Sequence, residues 1–177
     1  MQDSICPFGP AFRRERMEHG VSQWTVATRL RYHLRNIQRI EGGTQQPGVL
    51  LAVRLVVAVE ANPGDFFQDL SEEVVGDMPG GKISVSCAPV LYRRPEPEEG
   101  VKCFFGPLLA QARLAGAVSQ TAMAKLAGYN LRNVNAVEKG RQEPGIIPAL
   151  RLVAATGADI RCFFNQFCEF SDPTFER

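Results

Sequence analysis

A chain of 177 residues, 45% hydrophobic and 22% charged, has room for one medium domain or two small ones and the composition of an ordinary soluble globular protein. Its five cysteines form no Cys-x-x-Cys pair and its only histidines are His19 and His33, so neither a zinc site nor a disulfide framework is expected, and no metal or cofactor. The net charge of +1 is unevenly spread: residues 8–67 carry eight Arg against five Asp/Glu, residues 105–164 seven Lys/Arg against three, and the stretch between them four basic against seven acidic residues. That division suits two phosphate-facing modules joined by an acidic segment.

In chain order, Met1 to Phe8 lack the basic start and apolar core of a signal peptide. No apolar run approaches the roughly 18–20 residues that cross a bilayer, so the expectation is a cytoplasmic protein with no membrane partner. Pro10 sits where a first helical residue would, and helical periodicity runs to Met17, closed by Gly20. Ser22 is a good N-cap for a second helix ending near Leu30. After a break at Arg31, Tyr32 and His33, a third helix runs to Ile40 and is stopped by Gly43, with Ile37 and Ile40 spaced to face the core. A proline-led loop opens a fourth helix from about Val49 to Val59, and a short fifth piece carries Phe66 and Phe67. Residues 69–102 are rich in Gly, Pro and Glu. There, Ile83 to Cys87 alternates as a strand does and Val90 to Tyr92 suits a second, so a small β-hairpin and a partly ordered linker are equal alternatives.

From Cys103 onward the chain repeats itself. Shifted by 97 positions, residues 8–67 align with 105–164 without a gap, and roughly 25 of about 60 positions are identical. Phe8, Gly9 and Pro10 fall on Phe105, Gly106 and Pro107; Cys6 falls on Cys103. The second set of elements follows: a first helix, Ser119 capping a helix that ends near Ala127, and a break at Gly128, Tyr129 and Asn130. A third helix, with Val134 and Val137 facing the core, is stopped by Gly140; a fourth runs from Ile147 to Thr156 with Pro148 in its first turn, where proline is tolerated. A fifth piece carries Phe163 and Phe164. Units of this size fold alone. The organisation expected is a first domain over 6–68, an acidic linker over 69–102, a second domain over 103–168 and a tail over 169–177, whose neighbouring aromatics Phe167, Phe170 and Phe175 would pack on the second unit or on a neighbour.

Two helices joined by a turn of three or four residues are the helix-turn-helix arrangement. In the first unit the motif runs from Arg16 through Val21-Ser22-Gln23 to Ala27, then Ile40-Glu41-Gly42-Gly43 and Pro47; in the second, from Arg113 through Val118-Ser119-Gln120 to Ala124, then Val137-Glu138-Lys139-Gly140 and Pro144. These stretches resemble the phage-repressor and Cro type of helix-turn-helix, the Xre family. The resemblance covers both repeats and about two-thirds of the chain, and implies an all-α fold of two tandem five-helix, lambda-repressor-like domains. It further implies that the third helix of each unit enters the major groove of double-stranded DNA, the expected partner. The residues it assigns to the DNA surface are Leu34, Arg35, Asn36, Gln38 and Arg39 in the first unit and Leu131, Arg132, Asn133 and Asn135 in the second. Gln23 and Gln120 are assigned to phosphate, and Thr44, Arg141 and Gln142 to the DNA backbone. Arg16 with Glu41, and Arg113 with Glu138, match the family's internal ion pair.

The residue types suit base reading on their own chemistry. Arg spans guanine O6 and N7, Asn or Gln spans adenine N6 and N7, each good pair contributing about 1–3 kcal/mol of discrimination, and Leu packs on a thymine methyl. Two departures stand out: the turn has Gly128 in the second unit but Arg31 in the first, and Trp24 occupies a position where a polar residue is usual and where linker packing is expected. No nucleophile–base constellation or phosphate-cradling glycine loop is present, so an enzyme is not expected. The reading is a DNA-binding transcriptional regulator, with homodimerisation left open. The competing one is a protein-interaction or scaffold module that keeps the shape without reading DNA.

Overall fold

A computed structural model describes residues 6–76, 92–93 and 103–171. Those residues form ten helices and no strands, as an all-α fold requires. The first unit holds α1 (Phe8–Glu18), α2 (Gln23–Arg29), α3 (Leu34–Glu41), α4 (Val49–Ala58) and α5 (Pro63–Val75). The second holds α6 (Phe105–Ala115), α7 (Gln120–Ala127), α8 (Leu131–Glu138), α9 (Ile146–Thr156) and α10 (Ile160–Ser171). Among the described residues no helix is long and apolar enough to cross a membrane.

Local chemistry accounts for most of these boundaries. Ser22 Oγ accepts the Thr25 N–H at 3.0 Å and Ser119 Oγ the Ala122 N–H at 3.1 Å, so each second helix starts on a serine cap. Pro10 and Pro107 lie third in their helices, not first: the opening turn needs no N–H there, and the helix starts earlier, at Phe8 and Phe105. Gly43 and Gly140 follow the third helices at φ 70 and φ 63, a backbone state glycine enters without steric cost. Gly9 and Gly106 are required for a different reason. A Cβ at either would collide with the carbonyl oxygen of Ile40 or Val137, so α1 and α6 can lie this close to α3 and α8 only without a side chain there.

The fifth helices are longer than a short piece. α5 runs past residue 68 to Val75, and α10 past residue 168 to Ser171. Leu70 and Val74 continue the stripe begun by Phe66 and Phe67, as Phe167 continues that of Phe163 and Phe164, and all are buried. Phe167 thus belongs to the core, edge-on to Phe105 at 5.6 Å. The hairpin expected within 83–92 lies outside the described residues, apart from Tyr92. Tyr92 docks on α10: its N–H donates to Gln166 Oε1 at 2.7 Å and its ring meets Phe163 edge-on.

The two units share one continuous core. α5 packs along α10, and Phe67 stacks on Phe164 with centroids 4.3 Å apart. Beside this, the Val49 N–H donates to the Pro144 carbonyl and the Ile146 N–H to the Pro47 carbonyl, both at 3.0 Å, which sets Gly48 opposite Gly145 in an antiparallel bridge. Each contact is its own mirror under the 97-residue shift. Phe67 meets its equivalent Phe164, Gly48 meets its equivalent Gly145, and the two hydrogen bonds exchange places. Gln46 closes over Gly145 as its counterpart Glu143 closes over Gly48. Self-matched contacts of this kind define an isologous interface, so the units are related by an approximate two-fold rotation through the bridge and the Phe67–Phe164 stack. The symmetry is approximate: beside the bridge the Leu50 N–H donates to Glu143 Oε1 at 3.0 Å, and farther along Arg161 pairs with Asp65 at 3.0 Å and Asn165 Oδ1 accepts the Gly64 N–H.

Candidate nucleic-acid interface

The second and third helices of each unit meet across a short connection, residues 30–33 and 128–130. The Tyr32 N–H bonds the Ala27 carbonyl at 2.8 Å and the Tyr129 N–H the Ala124 carbonyl at 2.9 Å, closing the two turns alike. The residue before each tyrosine is left-handed: Gly128 at φ 63 and Arg31 at φ 50. A side chain in that region costs roughly 1–2 kcal/mol, so the first turn carries strain that the second lacks. In the second unit, Asn130 Oδ1 also accepts the Arg132 N–H at 2.8 Å and caps α8; His33, its counterpart, makes no side-chain cap on α3.

Burial on one side of the third helix dictates what faces out on the other. Ile37, Ile40, Val134 and Val137 are fully buried. That leaves Leu34 and Leu131 37% and 44% exposed. Arg35, Gln38 and Arg39 are exposed around α3 with Asn36 half-buried; Arg132 is exposed on α8 with Asn133 and Asn135 half-buried. Each Leu-Arg-Asn run forms the opening turn of its helix, so the candidate base readers of each unit share one short surface. Thr44, Arg141 and Gln142 are exposed just beyond the helix ends, with Thr44 Oγ1 donating to the Arg39 carbonyl. Among the described residues Arg35, Arg39, Arg132 and Arg141 make no ion pair, so their charge is uncommitted.

Behind each surface lies a clamp. Arg16 Nε donates to Glu41 Oε1 at 2.6 Å, its Nη2 to Oε2 at 3.0 Å and its Nη1 to the Val21 carbonyl at 2.6 Å. Arg113 makes the same three bonds to Glu138 and Val118. A forked, charge-assisted pair of this geometry fixes orientation as well as distance, and ties the first helix, the turn and the end of the third helix together. Gln23 and Gln120 complete it: their Nε2 atoms donate to Glu41 Oε2 at 2.7 Å and Glu138 Oε2 at 2.6 Å. These side chains, assigned by resemblance to phosphate, are thus half-buried and engaged inward. The outward donors left at the start of α2 and α7 are backbone N–H groups and one remaining amide hydrogen. The inward bond spans 18 residues in both repeats and has no signature in the local sequence.

Trp24 is 68% exposed; the linker on which it was expected to pack lies, apart from residues 92–93, outside the described residues. Met17 and its equivalent Leu114 are exposed in both units. Cys6 and Cys103 are free thiols, and burial pushes both above the ordinary range, Cys103 to about 11 with the Glu143 carboxylate adding to the effect. Among the described residues no group of His, Cys, Asp and Glu could hold a metal ion. No protein-family model, curated protein or solved structure matches the chain.

Proposed function

We propose that the chain is a sequence-specific double-stranded DNA-binding protein of the Xre-like helix-turn-helix kind, a transcriptional regulator that reads bases with α3 and α8. The reading rests above all on one feature: each unit presents an exposed, unpaired Arg beside an Asn in the first turn of a helix whose far end is clamped to the unit's core. A guanidinium free of carboxylates is available to guanine, and a neighbouring amide to adenine. The clamp supports the same reading. It holds the helix by its C-terminal end and leaves the N-terminal turn open for a groove.

The scaffold alternative is favoured by the exposed Trp24, Met17 and Leu114, which would suit a protein partner. Selection of bound sequences from a random duplex pool separates the two. The intact protein should enrich a defined motif, and an Arg35→Ala plus Arg132→Ala variant should lose about 1–3 kcal/mol of base discrimination in each half. No enrichment by folded protein at low salt would leave the scaffold reading standing.

A further inference from the structure

We infer that one chain is the whole reader of one DNA site, and that this site is an imperfect inverted repeat with two unequal halves. The inference rests on the DNA reading proposed above. Its warrant is the interface between the units, which joins like to like: Gly48 to Gly145 and Phe67 to Phe164, with the hydrogen bonds from Val49 and Ile146 exchanging places. A translation along the duplex, which direct half-sites need, would set unlike patches against each other. A two-fold rotation keeps equivalent residues at the same height along its axis, so α3 and α8 lie level with reversed directions across it. Duplex DNA has two-fold axes perpendicular to its length, and a protein two-fold laid on one of them meets inverted half-sites.

The same interface accounts for stoichiometry. The surface that would otherwise recruit a second copy, centred on Phe67 and Phe164, is fully buried within the chain. A single polypeptide thus supplies both reading helices.

The halves are unequal because the two surfaces agree in their first turn and differ in the next. Leu34, Arg35 and Asn36 are matched by Leu131, Arg132 and Asn133, but Gln38 and Arg39 are replaced by Asn135 and Ala136. Asn is one methylene shorter than Gln, and Ala cannot bond a base edge or a phosphate. The half read by α3 therefore extends beyond the half read by α8, and the common part of the two halves is the part read by Leu-Arg-Asn.

The test is duplex selection with the full chain, followed by native mass spectrometry of the complex. The expected result is a two-part inverted motif with one longer half, bound by one chain. Turning one half around at unchanged spacing should weaken binding roughly a hundredfold or more, since several base pairs then mismatch together. A direct repeat, a lone half-site or two chains per motif would overturn the inference while leaving DNA reading intact. Failure of the folded protein to enrich any motif would overturn both. An Asn135→Gln plus Ala136→Arg variant supplies a second arm, because it gives α8 the surface of α3. Its selected motif should become a perfect palindrome, and an unchanged motif would refute the origin assigned to the asymmetry.

Discussion

The two units differ most where the backbone must turn left-handed. Four such positions are equivalent under the 97-residue shift: Gly43 and Gly140 agree, and at the other three one unit has glycine while the other does not, Gly20 against Ala117, Arg31 against Gly128, and Glu60 against Gly157. Both units nevertheless adopt the same turns, so the tertiary frame imposes the conformation whichever residue is present. What does not differ is equally informative. The Arg–Glu–Gln clamp, the side-chain-free contact at Gly9 and Gly106, and the self-matched seam occur in full in both units. Strain of about a kilocalorie is absorbed locally, whereas a broken ion pair or a collision within a helix pair is not.

The largest expected effects come from the seam and the clamps. Phe67→Ala or Phe164→Ala should each cost about 3–5 kcal/mol, because a fully buried ring leaves a cavity between two units that share one core. The comparison sharpens if denaturant unfolding of either variant splits into two steps, since the units would then have lost their common support. Glu41→Ala and Glu138→Ala should each cost about 3–5 kcal/mol, by leaving a largely buried guanidinium and a Gln amide without their acceptor. Equal losses in circular-dichroism melts would show two equivalent clamps. A loss confined to one unit would break that equivalence.

A smaller effect distinguishes the equivalent thiols. Cys103 is held to about 11 in the folded chain against 9.0 when free, chiefly by burial, while Cys6 is raised less. A thiol whose folded value is raised stabilises the fold fully below its unfolded value, and that contribution fades as pH climbs through the folded one. Unfolding free energy should therefore fall by about 2–3 kcal/mol between pH 9 and 11 on this account. Cys103→Ala should flatten that part of the pH profile relative to the unmodified chain. An unchanged profile would place the alkaline sensitivity elsewhere.

Much of this was legible in the residues. The serine caps, the glycines after the third helices, the buried Ile and Val pairs and the Arg–Glu partners are local or short-range patterns with one sensible solution. The seam was not. Pro47-Gly48 and Pro144-Gly145 read as loop starts, because nothing in a single unit shows that its loop will bond the equivalent loop of the other. The length of α5 was hidden by Asp69, Glu72 and Glu73, which read as the start of an acidic linker although Leu70 and Val74 keep helical spacing among them. At the candidate site, the exposed Leu-Arg-Asn turns follow from helical periodicity. The inward role of Gln23 and Gln120 depends on a contact across 18 residues and required the folded geometry.

The finest comparison lies in the turns before the third helices. The second unit leads into α8 through a left-handed glycine and an asparagine cap; the first leads into α3 through a left-handed arginine and no side-chain cap. Nothing lies within 4 Å of the position a Cβ would take at Gly128, so any cost of a side chain there is conformational and not steric crowding. Transferring the second turn into the first, Arg31→Gly with His33→Asn, should stabilise the chain by about 1–2 kcal/mol, less a few tenths for the extra freedom glycine brings to the unfolded chain. The reverse exchange, Gly128→Arg with Asn130→His, should destabilise it by a similar amount, read as shifts in urea midpoint at constant slope. Amide hydrogen exchange gives the local answer. If strain and the missing cap are the cause, α3 should exchange faster than α8 in the unmodified chain, and Arg31→Gly with His33→Asn should close the gap. If α3 is already as well protected as α8, the shared core holds the two helix starts equally, and the turn residues matter to the proposed DNA surface only through the charge of Arg31.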